Sequence, residues 1–288
     1  MAVDLEKYLQ CPDCRGSVRK ESNWFACSTC RRSFVPEDGI QMFMPTRREP
    51  CPKFYDDPEY DRYIQKLDRL HEVHYKPGSL TGRIEESVKT RMARLVKDYQ
   101  PPLVDLGCGT GRGFEALGPD EDIIGVDNNP ALLRECHRLH PKATLICCDM
   151  LHPPFRPKAF QFISCIGTLE HIFYLEAFVA SVERVLADDG YFYVEVPTEG
   201  GLLWRLGRAL VTSPRNSKLL GVNYRRVIAK DHCNTIFTVH NVLTKFFRFD
   251  EVYEYPLGFG GKNINVAMMY RLRKLKPNRS HDSRPAGL

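Results

Sequence analysis

The chain of 288 residues is long enough for two domains of roughly 150 residues each, which excludes a peptide-sized scaffold. Hydrophobic residues make up 43% of the chain and charged residues 27%, so it can bury a core and does not belong to the disordered class. The formal net charge of +5 permits an anionic partner but is too small to indicate a nucleic-acid-binding protein.

The N-terminus and the cysteine usage bear on cellular location. Residues 1–7 carry two acids and no long apolar run, so no secretory signal is predicted, and no later stretch approaches the ~20 apolar residues of a membrane span. Seven of the eleven cysteines are scattered, and this odd number favours reduced thiols over a disulfide framework. We therefore expect a cytoplasmic protein without stable membrane insertion.

The other four cysteines form two Cys-x-x-Cys pairs near the N-terminus, separated by residues 15–26. Such pairs place four thiolates on two tight turns, an arrangement that Zn²⁺ prefers. Four unliganded core cysteines are the alternative, but core packing gives no reason for this spacing to occur twice. The pattern predicts a zinc ribbon over residues 1–48, in which a structural Zn²⁺ helps to fold a small unit. The predicted ligands are Cys11, Cys14, Cys27 and Cys30.

Two further segments lack the pattern of a packed domain. Residues 49–83 are polar and contain several prolines and tyrosines, with a helical stretch over 60–74, and are predicted to form a linker or a lid. Residues 276–288 are rich in Lys, Arg, Ser and Pro, and we expect a flexible tail.

Helical patterns alternate with short apolar stretches from residue 84 to residue 275. This alternation is typical of βα units and predicts an α/β domain with a mostly parallel sheet. The predicted strands are 103–105, 122–127, 143–148, 160–166, 190–197, 251–255 and 265–272. The predicted helices are 84–99, 130–140, 175–186 and 240–247.

A glycine-rich loop follows the first predicted strand, with Asp105 before it. Its glycines let the backbone approach a ligand closely, although a loop of this kind also suits a dinucleotide. The second strand ends in Asp127, about 20 residues further on, where a carboxylate can bind ribose hydroxyls. The third strand ends before Asp149, and the fourth before Leu169-Glu170-His171. Polar residues at the carboxyl ends of parallel strands predict a ligand site at that edge.

This succession of motifs resembles the class I S-adenosylmethionine-dependent methyltransferases over residues 84–272. The resemblance implies a Rossmann-like, seven-stranded domain, a methyltransferase activity and S-adenosyl-L-methionine as cofactor. A dehydrogenase or an unrelated α/β protein is the alternative.

The resemblance also implies roles for individual residues. The glycine loop would pass under the methionine part of the cofactor with Asp105 near its ammonium group, and Asp127 would hold the ribose. Asp149 would bind the adenine amino group, and Met150 would cover the ring face. The full set of implied cofactor and methyl-pocket residues is Asp105, Gly107, Gly109, Gly111, Asp127, Asn128, Asp149, Met150, Ile166 and Gly167.

The end of the fourth strand bears on the acceptor. DNA and protein amine methyltransferases often carry Asn/Asp-Pro-Pro-Tyr/Phe there, whereas Leu169-Glu170-His171 is more similar to small-molecule O-, N- or C-methyltransferases. The segment 152–155 is similar to the amine motif but follows the third strand, and we interpret it as a loop. A small-molecule or glycan-type acceptor is predicted, with His171 as the general base. Alternatively, His171 caps the next helix or orients a neighbour.

An insertion follows the fifth predicted strand. Over residues 202–210, leucines and a tryptophan alternate with arginines at helical spacing. This predicts a packed cap helix over the substrate, or a surface helix that touches an anionic lipid or a phosphate. Weak candidates for substrate contact, which could equally be surface charges or helix caps, are Glu170, Trp204, Arg225, Arg226, His232 and Asn234.

Two other functions stay open at this point. The order of a zinc ribbon and this domain is similar to that of some ribosomal RNA guanine methyltransferases, so the ribbon could grip RNA. A non-catalytic protein that binds the methyl donor and recruits a partner is the other alternative. The basic residues around the predicted zinc site are Arg15, Arg19, Lys20, Arg31 and Arg32.

Overall fold

The structure is a computed structural model, and it describes residues 3–48, 57–66 and 78–275. In these ranges the chain forms a three-stranded antiparallel sheet near the N-terminus and an eight-stranded mixed sheet. The predicted linker or lid over 49–83 and the helical stretch over 60–74 lie partly outside the described residues, and the predicted tail over 276–288 lies wholly outside them.

The N-terminal unit begins with a 3₁₀ turn at Leu5–Lys7 and continues with β1 (Val18–Glu21), β2 (Trp24–Cys27) and β3 (Ser33–Phe34). In this sheet, β2 pairs with both of its neighbours. Each strand is too short to bury much on its own, so packing depends on a few aromatic side chains. The rings of Phe34 and Phe43 stack with centroids 4.4 Å apart.

The large sheet has the strand order β10-β11-β9-β8-β5-β6-β7-β4. Strands β5 to β9 run parallel to their neighbours within the set, and β11 runs antiparallel to both β9 and β10. Its members are β4 (Gln41–Met42), β5 (Leu103–Leu106), β6 (Ile123–Asp127), β7 (Thr144–Cys147), β8 (Phe160–Ile166), β9 (Leu186–Pro197), β10 (Phe247–Tyr255) and β11 (Ala267–Lys274).

The predicted α/β, Rossmann-like fold class is confirmed, with one correction. The sheet has eight strands where seven were predicted, because β4 from the N-terminal part pairs parallel to β7. Without β4, this edge of the sheet would expose a row of unpaired backbone groups. A strand of two residues has no periodicity that a sequence pattern could reveal.

Helices pack against the sheet strands in two hydrophobic clusters. They are α1 (Pro58–Gln65), α2 (Leu80–Leu95), α3 (Phe114–Leu117), α4 (Pro130–Leu139), α5 (Leu175–Val185), α6 (Leu202–Gly207), α7 (Ser213–Leu220), α8 (Tyr224–Asp231) and α9 (Ile236–Phe246). A π-helical turn, Arg208–Thr212, joins α6 to α7. No helix in the described ranges has the length and apolar character needed to cross a membrane.

Side-chain caps explain several helix starts. Asn129 accepts a hydrogen bond from the amide of Ala131, and Pro130 occupies the first turn of α4. Thr235 accepts one from the amide of Thr238 at the start of α9, four residues earlier than predicted.

The N-terminal unit and the large sheet share one hydrophobic core. The ring of Tyr8 stacks on that of Phe160 in β8, with centroids 5.3 Å apart. The amide of Gln10 donates to the carbonyl of Pro154 at 2.8 Å. The predicted boundary at residue 48 therefore separates two parts whose packing is continuous.

Candidate active site

The glycine loop lies at the point where the order of the parallel strands reverses. Strand β5 has β6 on one side and β8 on the other, so a crevice opens beyond its carboxyl end. The amides of Gly107 and Cys108 both donate to the carbonyl of Val126, at 2.8 and 3.0 Å. Gly107 has a φ of +78°, and a Cβ there would lie 2.4 Å from the Thr168 side chain. Only glycine fits at this position.

Gly109 differs from Gly107 in its surroundings. Its φ is +53°, but a Cβ added there would meet no atom within 4 Å. The loop thus leaves open space at Gly109 next to the crevice.

We expect Gly109→Ala to weaken cofactor binding at least tenfold, because the added methyl group projects into the open space beside the crevice. The free energy of unfolding should fall by only about 1 kcal/mol, because the methyl group meets no other atom of the described residues within 4 Å and the only cost is the left-handed backbone conformation. Titration calorimetry with S-adenosylmethionine and urea denaturation would measure the two effects. Gly258→Ala is the matched control, since Gly258 also has a positive φ and open surroundings. Equal affinity for both variants would show that the cofactor does not use this space.

Asp127 ties the loop to the end of β6. One of its carboxylate oxygens accepts a hydrogen bond from the amide of Gly109 at 3.0 Å, and the other accepts one from Asn129 at 2.8 Å. Burial raises the pKa of Asp127, and these amides and the nearby His171 partly offset the rise. The predicted ribose ligand thus also shapes the loop.

Asp105 lies in the interior beneath the loop. It is 3% exposed, and the Ser164 hydroxyl of β8 donates to it at 2.7 Å. Burial raises the pKa of Asp105 to about 6; the Ser164 hydrogen bond opposes this rise, and the charge of Asp127 adds to it. The site therefore holds an acid whose charged form is destabilised until a cation approaches.

We expect Asp105→Asn to stabilise the ligand-free protein at pH 7 by about 1–3 kcal/mol, because the native state disfavours the charged carboxylate. With a native pKa above the unfolded value, the carboxyl makes stability fall as pH rises from about 4 to about 6. The variant should lose this slope and also most cofactor affinity. Denaturation at several pH values would measure the stability and its slope with pH. Asp188→Asn is the control, because Asp188 is exposed. A less stable variant at pH 7 would contradict the assignment.

The other predicted cofactor residues lie along the same edge. Asp149 follows β7 and accepts from the amide of Leu151 at 2.9 Å, whereas Asn128 is exposed just after β6. Met150 is buried, and Ile166 is the last residue of β8. The structure thus brings the carboxyl ends of four neighbouring strands together, as predicted.

His171 lies in a 3₁₀ turn, Leu169–His171, directly after β8. Its Nδ1 is 3.3 Å from a carboxylate oxygen of Asp231 at the end of α8. The hydroxyl of Tyr60 donates to the same carboxyl group at 3.0 Å, and that of Tyr63 lies at 3.4 Å. Burial by itself would raise the pKa of Asp231, but His171 and these hydrogen bonds hold it well below its usual range. Asp231 is therefore a carboxylate that can orient the imidazole.

His232 has its own carboxylate partner. Its Nδ1 bonds to Glu199, which also bonds to Arg208. Burial would raise the pKa of Glu199, but the bonds to His232 and Arg208 lower it overall. The rings of His171 and His232 meet edge to face with centroids 4.5 Å apart. Two imidazole–carboxylate pairs thus stand side by side.

A second pair of acids is buried near Gly167. A Cβ at Gly167 would lie 3.8 Å from both the Glu170 and the Glu195 carboxylates. Burial raises the pKa of both, and the proximity of Glu170 adds to the rise at Glu195, which reaches about 8. The two acids disfavour each other's charged form, and a cation bound in the predicted methyl pocket would favour their ionisation.

The remaining candidates differ in their placement. The amide of Asn234 donates to the carbonyls of Leu169 and Ile172, at 2.9 and 2.6 Å, so this side chain holds the turn that carries His171. Trp204 lies on α6 beside Arg208, with the guanidinium carbon 5.7 Å from the ring centroid. Arg225 is exposed on α8, and Arg226 faces Asp57 and Glu59 at 3.7 and 3.9 Å.

Several groups of this site were not predicted from the sequence. Apart from Ser164, which bonds to Asp105, they lie far from His171 along the chain and join the site through folding. They are Tyr60, Tyr63, Ser164, Glu195, Glu199, Arg208 and Asp231.

The four N-terminal cysteines converge as predicted. Their Sγ atoms lie within 4.8 Å of one another, with Cys11–Cys30 at 3.7 Å and Cys14–Cys27 at 3.4 Å. A tetrahedral Zn²⁺ with Zn–S bonds of about 2.3 Å requires sulfurs roughly 3.8 Å apart. The amides of Thr29 and Cys30 point at the Cys27 sulfur, each at 3.4 Å, as expected around a thiolate. These residues fit a zinc ion.

The residues that form the crevice match a known protein family. Residues 104–194, which contain the glycine loop, Asp127 and His171, match the family described as "Methyltransferase domain". This part of the chain is a methyltransferase domain. The match agrees with the methyltransferase domain predicted from the sequence, and the fold agrees with the predicted Rossmann-like class.

Two other proteins are similar in sequence to part of this chain. An uncharacterized protein of Methanocaldococcus jannaschii is 35% identical over 123 residues, which are 41% of this chain and 52% of that protein. A mouse protein named "Probable tRNA methyltransferase 9B" is 24% identical over 132 residues, which are 44% of this chain and 29% of that protein. The matches thus span about half of the first relative and less than a third of the second.

A solved structure shares the fold. The N-methyltransferase NodS from Bradyrhizobium japonicum, in complex with S-adenosyl-L-homocysteine, superposes with a TM-score of 0.52 at 14% identity. The superposition covers 76% of this chain and all of that one.

Proposed function

We propose that this protein is an S-adenosylmethionine-dependent methyltransferase that acts on a small-molecule or glycan-type acceptor beside His171. One observation carries the proposal: an imidazole held by the buried Asp231 lies in a turn that contacts the glycine loop, because the hydroxyl of Thr168, just before this turn, donates to the carbonyl of Gly107 at 3.4 Å. A base and a donor crevice at the same edge of the sheet are what methyl transfer requires.

The residues of the crevice fit the methyl donor. Asp127 and Asp149 would hold its ribose and adenine, and Asp105 would face its ammonium group. S-adenosylmethionine supplies, when bound, a methyl group on a positively charged sulfur. The open space at Gly109 provides room, and the buried acids Glu170 and Glu195 are groups that a bound cation would stabilise in their charged form.

The role of His171 in the reaction would be to take up a proton: its Nε2 would accept the proton that the acceptor loses when it is methylated. Nδ1–H donates to Asp231, whose charge stabilises the imidazolium that forms. Asn234 keeps the turn of His171 in place through two main-chain carbonyls. Asp231 and Asn234 therefore act as positioning residues.

The hydrogen bonds of the basic residues around the cysteines support a small acceptor over RNA. Arg15 lies 3.4 Å from the carbonyl of Pro153, and Arg32 is bonded to Asp13 and to the carbonyl of Met44. Two of the five basic residues that could grip RNA are thus engaged within the protein. The zinc ribbon is assigned a structural role, with Zn²⁺ on the four cysteines.

An RNA acceptor is the second candidate, favoured by the similarity to the mouse protein whose name includes tRNA. Incubation with methyl-labelled S-adenosylmethionine and either total RNA or a small-molecule extract separates the two. We expect label in the small-molecule fraction. Label in RNA would overturn the choice of acceptor, and a donor that binds but transfers no label would favour a non-catalytic role.

A further inference from the structure

One corner of the methyltransferase domain exposes large apolar side chains. On the helical run from α6 through the π-helical turn, Leu210 is 75% exposed, and on the loop between β10 and β11, Phe259 is 67% exposed. We call this set the apolar face. Its members are Leu202, Leu203, Leu206, Leu210, Val211, Phe237, Leu257, Phe259 and Ile264.

Contacts between the segments show that these side chains form one surface. A Cβ at Gly201 would lie 2.1 Å from the carbonyl oxygen of Lys262, so the start of α6 touches the loop. The ammonium of Lys262 lies 5.9 Å from the ring centroid of Phe237. Soluble monomers rarely expose a contiguous apolar surface of this kind without a partner.

Cations predominate around the apolar face, although Glu254 accepts a hydrogen bond from the amide of Gly261 in the loop between β10 and β11. Residues 200–230 contain seven Lys or Arg and no Asp or Glu, and residues 232–249 and 256–266 also lack acids. Arg208, Arg226 and Lys230 face acids of other segments. Arg205 on α6 and Arg215 and Lys218 on α7 are exposed. An apolar surface with a cationic border is complementary to an anionic lipid bilayer.

The apolar face also borders the proposed acceptor site. Glu199, the partner of His232, lies two residues before Gly201, where the helical run begins. Arg208 of the same run bonds to Glu199. If the apolar face holds the protein on a bilayer, an acceptor at the bilayer surface would therefore reach the site near Gly201, where the helical run begins.

From this arrangement we infer that the apolar face docks the protein on anionic membrane surfaces and that the acceptor is lipid-anchored. The contact is interfacial: leucines enter the headgroup boundary, and Arg205, Arg215 and Lys218 bind lipid phosphates. The docking stands on the surface alone, whereas the choice of acceptor rests on the proposed methyltransferase function.

Flotation with vesicles tests the docking. The zinc-loaded full chain is mixed with vesicles of phosphatidylcholine, or of phosphatidylcholine with phosphatidylglycerol. We expect binding to the anionic vesicles, at least tenfold weaker with neutral ones and weakened by salt. Leu206→Glu combined with Leu210→Glu should lower binding more than tenfold, and Arg205→Ala with Lys218→Ala should lower it severalfold. Leu139→Glu is the matched control, because Leu139 is 47% exposed on α4 and Leu206 is 50% exposed.

Failure of the docking is distinguishable from failure of the methyltransferase proposal, because donor binding is measured separately by calorimetry without vesicles. No binding to anionic vesicles, or equal binding by the double Leu→Glu variant, would overturn the inference. A dimer in light scattering that the same variant dissociates would assign the face to a second copy and also overturn it. The inference would also be overturned if the wild type bound RNA but no vesicles and the double Leu→Glu variant lost RNA binding.

Discussion

His171→Ala is expected to lower kcat for methyl transfer by about 10²–10⁴-fold, the usual contribution of a general base. Affinity for S-adenosylmethionine should change less than threefold, because the predicted donor ligands Asp105, Asp127 and Asp149 lie on or after β5, β6 and β7. The initial rate of label transfer to the acceptor fraction measures the first effect, and calorimetry measures the second. His137→Ala, on α4, is the control for a lost imidazole.

Asp231→Asn extends this test to the partner of His171. It should lower kcat at least tenfold, because the neutral amide no longer stabilises the imidazolium. The amide can still accept the hydrogen bond of Tyr60, so thermal unfolding should reveal whether the fold persists. Near-normal turnover of His171→Ala with intact donor binding would remove the base role and leave His171 as a residue that orients the turn.

Removal of zinc should have the largest effect on stability. We expect chelation, or Cys27→Ser, to unfold the N-terminal unit and to lower the Tm of the whole chain on the order of 10 °C, since a structural Zn²⁺ contributes folding free energy directly. The effect should reach the methyltransferase domain because Tyr8 stacks on Phe160 and β4 completes the large sheet.

Metal analysis and a thermal melt check this prediction. The wild-type protein and Cys233→Ser, which alters a cysteine outside the cluster, should each hold one zinc per chain. Protein purified without chelator that contains no metal, or a melt that chelation leaves unchanged, would contradict the zinc assignment.

Local sequence patterns were sufficient to predict the residues on the proposed donor side of the site. Asp105, the glycine loop and Asp127 each follow a buried strand, and parallel strands end at one edge of a sheet, so their convergence was predictable. The four cysteines were predictable for a similar reason, because their spacing alone limits the geometry to one ion.

The acceptor side was not predictable in the same way. Asp231 is sixty residues from His171 along the chain, and its role depends on how α8 packs against the turn after β8. Glu199 was visible after the fifth strand, but its bonds to His232 and Arg208 are tertiary. The amphipathic pattern over 202–210 predicted a helix correctly in part, yet the pattern cannot tell a face buried in the core from one exposed to solvent.

Calorimetric titration of the zinc-loaded protein with S-adenosylmethionine tests the central claim most directly. The account predicts one binding site per chain with micromolar affinity, weakened at least tenfold by Asp127→Ala, which removes the predicted ribose ligand and releases the amide of Gly109. No binding at millimolar donor, or equal binding by the folded Asp127→Ala variant, would contradict a methyltransferase site in this crevice.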